Sequence, residues 1–144
     1  MSHPRIELPQ QMNLIGEIPV RITDVNYGGH VGNDAILSLI HEVRMQFLGK
    51  YGYSEMNVEG LGLIMARVGI EYRSQLFYGD TVIASAIATE FGSKGFDIYY
   101  HLQKNENGKL QTVAKAFTSM MCFDYASNKI AGLPSVVVEK MSKQ

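Results

Sequence analysis

Residues 23–48 read TDVNYGGHVGNDAILSLIHEVRMQFL, and the fold turns on how that stretch is read. Its first half is a polar turn of Asp, Asn, Gly and His, with Gly28, Gly29 and Gly32 inside five positions. Glycines open backbone conformations closed to other residues. Asn33 or Asp34 is then placed to cap a helix. In the second half Ile36, Leu37, Leu39, Ile40, Val43, Phe47 and Leu48 cover more than half of a helical circumference. A helix that apolar is buried on most sides rather than laid on a surface. Gly49 or Gly52 ends it.

Outward from this helix the chain reads as strands. Upstream, residues 14–23 alternate in their second half, with Ile18, Val20 and Ile22 on one face. Pro19 there argues for an edge or a strand start. Residues 1–13, with two prolines, are expected to form a loosely held arm. Downstream, residues 49–61 are a connection. Residues 63–78 then alternate as a long strand, with Ile64, Ala66, Val68, Ile70 and Tyr72 on one face. Gly79-Asp80 turns into a strand of small residues at 81–90, which lets a helix pack closely. Residues 96–104 and 111–125 are two more strands, joined by Asn107-Gly108, a strong hairpin signal. The tail suits either a short helix begun by Pro134 or, from Val136 to Val138, a strand. Successive hairpins force antiparallel pairing. The expected fold is α+β, a single domain over 1–144: one long central helix wrapped by a curved antiparallel sheet of about five strands. The other face of that sheet has room for a second copy.

Composition narrows the function. A chain of 144 residues with 46% hydrophobic and 19% charged residues is an ordinary globular sequence. A net charge of -1 without a Lys/Arg cluster argues against nucleic acid. The single Cys122 excludes an internal disulfide and fits a reducing compartment and a small core residue. No apolar run is long enough to span a membrane, and the N-terminus lacks a signal pattern, so a cytoplasmic location is expected. No spacing of His, Cys, Asp and Glu suggests a metal site.

The phrase D-x-N-Y-G-G-H-V-G-N at 24–33 resembles hot-dog fold thioesterases, in particular the 4-hydroxybenzoyl-CoA thioesterase-like group, which carries D-x-D-x-x-G-H-V-N-N before its long helix. Asp24, Gly29, His30, Val31 and Asn33 match. Glu42 and Arg44 match an acidic-x-Arg element in the helix, and Tyr78-Gly79-Asp80 an aromatic-Gly-Asp turn. Residues 124–134 (DYASNKIAGLP) resemble the group's usual end. The resemblance covers roughly residues 18–135. Two positions depart from it: Asn26 stands where the group often has its catalytic Asp, and Gly32 replaces the first Asn of an Asn pair.

The resemblance implies an acyl-CoA thioesterase that hydrolyses a thioester to CoA and free acid, with no cofactor beyond the CoA of its substrate, acting as a homodimer or homotetramer. Unpartnered N–H groups at a helix N-terminus can hold an oxyanion, here from Val31, Gly32 and Asn33, at roughly 3 kcal/mol per donor. Catalytic candidates are Asp24, Asn26, His30, Asn33 and Glu42. His30 or Asp24 would assist water and Asn26 would position it. Substrate contacts are expected at Tyr27 and Gly29 in the loop, at Leu63 and Met65 along the acyl pocket with Ile36 and Ile40, and at Arg67, Arg73, Ser93 and Lys94 for the nucleotide phosphates. Each has a plainer alternative. Asp24 can be an Asx cap, His30 a structural hydrogen-bonder, and Glu42 an ion-pair partner of Arg44 or Arg67. Lys94 can be a solvated turn lysine, and His41 a structural or interfacial residue. His3 and His101 carry no signal. Two other functions remain open: a hot-dog enoyl-CoA hydratase, whose loop pattern D-x-N-P-x-H fits Asp24 and Asn26 but not Tyr27, and an acyl-CoA-binding protein without catalysis, suggested by Asn26.

Overall fold

The computed structural model describes residues 5–143, so His3 and the first part of the expected arm lie outside the described residues. The elements are β1 (Asn13–Pro19), α1 (Asn33–Gly49), β2 (Gly62–Tyr72), β3 (Thr81–Thr89), β4 (Gly95–Glu106), β5 (Lys109–Asp124), β6 (Lys129–Ile130) and α2 (Ser135–Met141). The strands form one antiparallel sheet in the order β1-β3-β4-β5-β2, with the short β6 pairing on β5. β2 is therefore an edge.

The core lies between α1 and one face of this sheet. Leu39, Ile40, Val43, Phe47 and Leu48 of α1 are fully enclosed. They meet Val82, Ala84, Ala86 and Ala88 of β3, whose short side chains let the helix come close. β4 adds Ile98, Tyr100 and Leu102, and β5 adds Ala114, Ala116, Thr118 and Met120. The period-two burial of β3, β4 and β5 is what an antiparallel sheet with one covered face requires. The Asn107-Gly108 turn has φ of 53° and 83°, the left-handed pair that a two-residue hairpin loop needs.

Three expected boundaries move. The strand expected over 14–23 stops at Pro19, and Ile22–Asp24 closes into a 3-10 turn because the Asp24 carboxylate captures the Arg21 N–H (2.8 Å). The strand expected over 63–78 stops at Tyr72. The N–H groups of Arg73 and Ser74 both go to Val113 O (2.9 and 3.2 Å), which ends the ladder, and the chain diverts to bury Leu76. At the tail the helical alternative prevails over the local strand preference of Val136–Val138. Val137 and Met141, one turn apart on α2, are both buried in the core.

The outer face of the sheet is not bare. Tyr99 and Phe117 lie there 6.0 Å apart, and the Arg67 guanidinium sits over the Phe117 ring at 5.6 Å. Residues 5–7 cross beside them, with the Ile6 N–H donating to Glu71 Oε1 (3.1 Å). Among the described residues, no helix is long and apolar enough to cross a membrane.

Candidate active site

The loop before α1 is built from its own short-range bonds. Asn26 N–H donates to His30 O (2.9 Å), Gly29 N–H to Asn26 O (3.1 Å), and Gly28 N–H to the Asn26 side-chain Oδ1 (2.9 Å). The reversal needs φ of +82° at Gly29, the left-handed region that glycine enters without strain. The Val31 N–H donates to Leu76 O at 2.8 Å, so it is not available to a substrate, contrary to its expected place among the oxyanion donors.

Gly32 is the N-cap of α1, and it makes no side-chain cap among the described residues. The first intrahelical bond runs from Ile36 N–H to Gly32 O (3.2 Å), which leaves the earlier amides without a helical partner. A Cβ at Gly32 would stand 2.8 Å from Asp34 Oδ1 and 3.5 Å from Asn26 Nδ2. Glycine here thus makes room for the Asp34 carboxylate, and the donor end of the Asn26 amide lies in ordinary contact range of the helix N-terminus. The Tyr72 hydroxyl holds the same turn from β2 by donating to Asn33 O (3.3 Å).

This N-terminus opens into a cleft of about 260 Å³ lined by His30, Val31, Asn33, Ile36 and residues 72–76. His30 Nδ1 is 3.1 Å from Val31 O. A carbonyl can only accept, so Nδ1 carries the proton and Nε2 is left as an acceptor. Arg73 also lines the cleft and pairs with Glu71 (2.7 Å).

Asp24 sits differently. Its carboxylate is buried and accepts three bonds from Arg21: backbone N–H (2.8 Å), Nε (3.3 Å) and a terminal nitrogen (3.1 Å). Burial alone would push this carboxyl up. The Arg21 bonds more than offset that and hold it below the usual carboxylate range. A depressed carboxylate stabilises the fold above its unfolded pKa and loses that contribution as pH falls through the folded value. Asp24→Asn should therefore cost about 1–2 kcal/mol at neutral pH. The gap to wild type should close under acid, and turnover should stay within about threefold. Denaturant melts across pH, run beside a rate assay, check both halves of this expectation.

Other expected site residues are dispersed. Glu42 accepts from Gln46 Nε2 (2.8 Å) in a separate groove with Glu17 and Arg21, not in the cleft. It is not the partner of Arg44 or Arg67: Arg44 bonds Glu55, and Arg67 lies on the outer face. Leu63 is buried in the core, whereas Met65 is exposed. Tyr27 projects fully into solvent at the loop tip. Ser93 and Lys94 stand at the far end of the sheet. From Val113, which bonds Arg73, to Cys122, which bonds Lys94 O, β5 runs roughly 30 Å at about 3.3 Å per residue. Within one chain they do not meet the loop.

One constellation was not anticipated. Arg44, only 5% exposed, donates through Nε to Glu55 (2.9 Å) and through a terminal nitrogen to the Tyr100 hydroxyl (3.3 Å), which is 2.6 Å from Thr118 Oγ1. The other Glu55 oxygen meets His41 Nε2 at 2.5 Å. Burial would push the Glu55 carboxyl up, but the bonds from His41 and Arg44 bring it below the usual range. His41 lines a second cleft of about 360 Å³ with Leu37, Ser38, Arg44 and Met65. A readable signal existed: an arginine within the apolar stripe of a buried helix requires an anionic partner.

A model of the thioesterase-like superfamily matches residues 20–141, nearly the whole chain. The chain belongs to this superfamily. The family's match starts just ahead of the loop and runs through α2, so it includes both clefts. A 1,4-dihydroxy-2-naphthoyl-CoA hydrolase of Nostoc punctiforme is 25% identical over 126 residues, covering 83% of this chain and 80% of that protein. The fold is shared with a 1,4-dihydroxy-2-naphthoyl-CoA thioesterase from Synechocystis (TM-score 0.77, 22% identity, 90% and 95% coverage). It is shared equally with a predicted thioesterase from Bacillus stearothermophilus (TM-score 0.77, 18% identity, 92% and 96% coverage). The α+β hot-dog arrangement expected from the sequence is the one observed.

Proposed function

We propose that the protein is an acyl-CoA thioesterase, hydrolysing a thioester to CoA and a free acid. The observation that carries this reading is the uncapped N-terminus of α1, which opens into a cleft lined by His30 and Asn33, with the Asn26 amide next to Gly32. Hydrolysis of a thioester places negative charge on the carbonyl oxygen. Helix amides are aimed at such charge before it develops, so they need no reorganisation. The Asn33 N–H and the Asn26 amide are the donors in this assignment. Asn26 acts as a donor rather than a base, a role that the usual aspartate could not fill. His30 Nε2 accepts from water and orients it. Asp24, held by Arg21, shapes the loop.

The match to 1,4-dihydroxy-2-naphthoyl-CoA enzymes supports an aromatic acyl group as the first substrate to try. The reaction needs water and no added cofactor. The edge position of β2 supports a homodimer. Met65 (40% exposed), Val68 (40%) and Tyr72 (47%) lie along that edge, and a long apolar edge strand invites pairing with another strand. Such pairing by two-fold symmetry also brings the Ser93-Lys94 end of one copy toward the loop of the other.

Thiol release from a panel of aromatic and aliphatic acyl-CoAs tests the proposal. Release of CoA thiol with at least one member is expected. Loss of enoyl absorbance without thiol would point to a hydratase, and saturable binding without turnover to a binding protein.

A further inference from the structure

We propose that the general base of this site is His41 of a second copy of the chain, held in position by Glu55. The proposal rests on the thioesterase reading above and names the group that reading lacks. None of the catalytic candidates read from the loop is an imidazole backed by a carboxylate. Asp24 is occupied by Arg21. Asn26 is an amide. His30 has a backbone carbonyl, not a carboxylate, behind its Nδ1.

His41 has the arrangement that His30 lacks. Its Nε2 meets a carboxylate, so Nε2 carries the proton and Nδ1 is the free acceptor. The carboxylate is fixed in turn by Arg44, and Arg44 by Tyr100. A histidine backed by an oriented carboxylate is the usual form of a biological base, because the carboxylate fixes the tautomer and stabilises the imidazolium. The ring itself is exposed in an open cleft, so this ordering is not needed to fill the core.

Within one copy the two parts cannot act together. Asn33 and His41 are roughly 12 Å apart along the helix axis at about 1.5 Å per residue, and a base must come within about 3 Å of the proton it takes, or act through one water. Two-fold pairing of the β2 edges removes this gap. The core-side residues of β2 are Leu63, Met65, Val68, Ile70 and Tyr72, all apolar, because they pair with the inward residues of β5. The outward ones include Arg67 and Glu71. Pairing centred on Arg67 would set two guanidiniums face to face. Centred on Val68, it joins apolar side chains and brings Tyr72 of one copy opposite the Leu63–Met65 end of the other. Tyr72 holds the helix N-terminus of its own copy, and Met65 lines the His41 cleft of its own copy. The two clefts therefore adjoin only across copies.

The step balances. His41 Nδ1 takes a proton from water as the water oxygen bonds the carbonyl carbon. Collapse of the tetrahedral oxyanion breaks the C–S bond. The imidazolium returns its proton to the departing thiolate, leaving thiol, carboxylic acid and a neutral ring.

Two variants and their mixture test this. His41→Gln should lower kcat about 100-fold or more with KM little changed. Asn33→Pro, which deletes one oxyanion donor, should also be slow. Coexpressed, they form mixed dimers with one wholly wild-type site, and random pairing should restore about a quarter of wild-type activity. Full activity in His41→Gln would overturn the proposal. Two slow variants that regain nothing on coexpression, with mixed dimers shown by tagged pull-down, would overturn delivery from the second copy. A wild type that releases no thiol from any acyl-CoA would sink the hydrolase reading itself, an outcome read without any variant.

Discussion

Asn33→Pro is expected to reduce kcat by about 10²- to 10³-fold while leaving the fold intact, because it removes one N–H aimed at the oxyanion. The position tolerates the change. Asn33 is the first residue of α1, where proline fits the helical φ and where the N–H has no helical partner to lose. The preceding Gly32 is extended, with φ of -74° and ψ of 165°, which is the conformation a residue before proline prefers. The Asn33 carbonyl that receives the Tyr72 hydroxyl is unchanged. Asn33→Ala is the control, since it keeps the N–H and should stay within about tenfold of wild type. Steady-state rates with a turned-over acyl-CoA decide the matter. Equal losses in the two variants would assign the effect to the side chain. An unimpaired proline variant would place the oxyanion elsewhere.

The largest structural effect is expected at Gly95. A Cβ there would lie 1.9 Å from Met120 O and 3.0 Å from Met121 Cα, both backbone atoms of the neighbouring strand. A flexible side chain could move aside, but this strand is held by its own ladder and by the bond from Cys122 N–H to Lys94 O (2.9 Å). Gly95→Ala should therefore cost about 3 kcal/mol or more, a fall in melting temperature of roughly 6–12 °C at this chain length. Gly49→Ala meets nothing within 4 Å and should not destabilise. Thermal melts of the pair separate a steric cause from a general intolerance of glycine replacement.

The parts of this molecule that local pattern controls were legible in its sequence. The apolar stripe of α1 and the alternation of β3, β4 and β5 needed no knowledge of distant contacts. Neither did the Asn107-Gly108 turn. Most of what escaped was set by contacts between segments far apart in sequence. Nothing near Val31 indicates that its N–H will be taken by Leu76 O. The end of β1 escaped for a local reason: Asp24 turns back on Arg21, three residues away, and the alternation of Ile18, Val20 and Ile22 favours the competing strand. At the tail the sequence offered both a helix begun by Pro134 and a strand over Val136–Val138, and the burial of Val137 and Met141 against the core decides for the helix. The site divided along the same line. The loop and the helix N-terminus could be found from glycines and capping chemistry. Glu55, in an irregular connection, could not be tied to His41 and Arg44 without the fold.

The bond from Val31 to Leu76 O has a consequence for how this scaffold can vary in length. Surface loops ordinarily accept insertions with little cost. The segment after β2 is an exception, because it carries the carbonyl that sets the phase at which α1 begins. An added residue at 73–76 would offer the wrong carbonyl and rotate the helix amides away from the cleft. The Asn107-Gly108 hairpin tip carries no such constraint. Natural or engineered changes in length therefore belong at that tip, and the short path from Tyr72 to Leu76 acts as a gauge block for the mouth of the site.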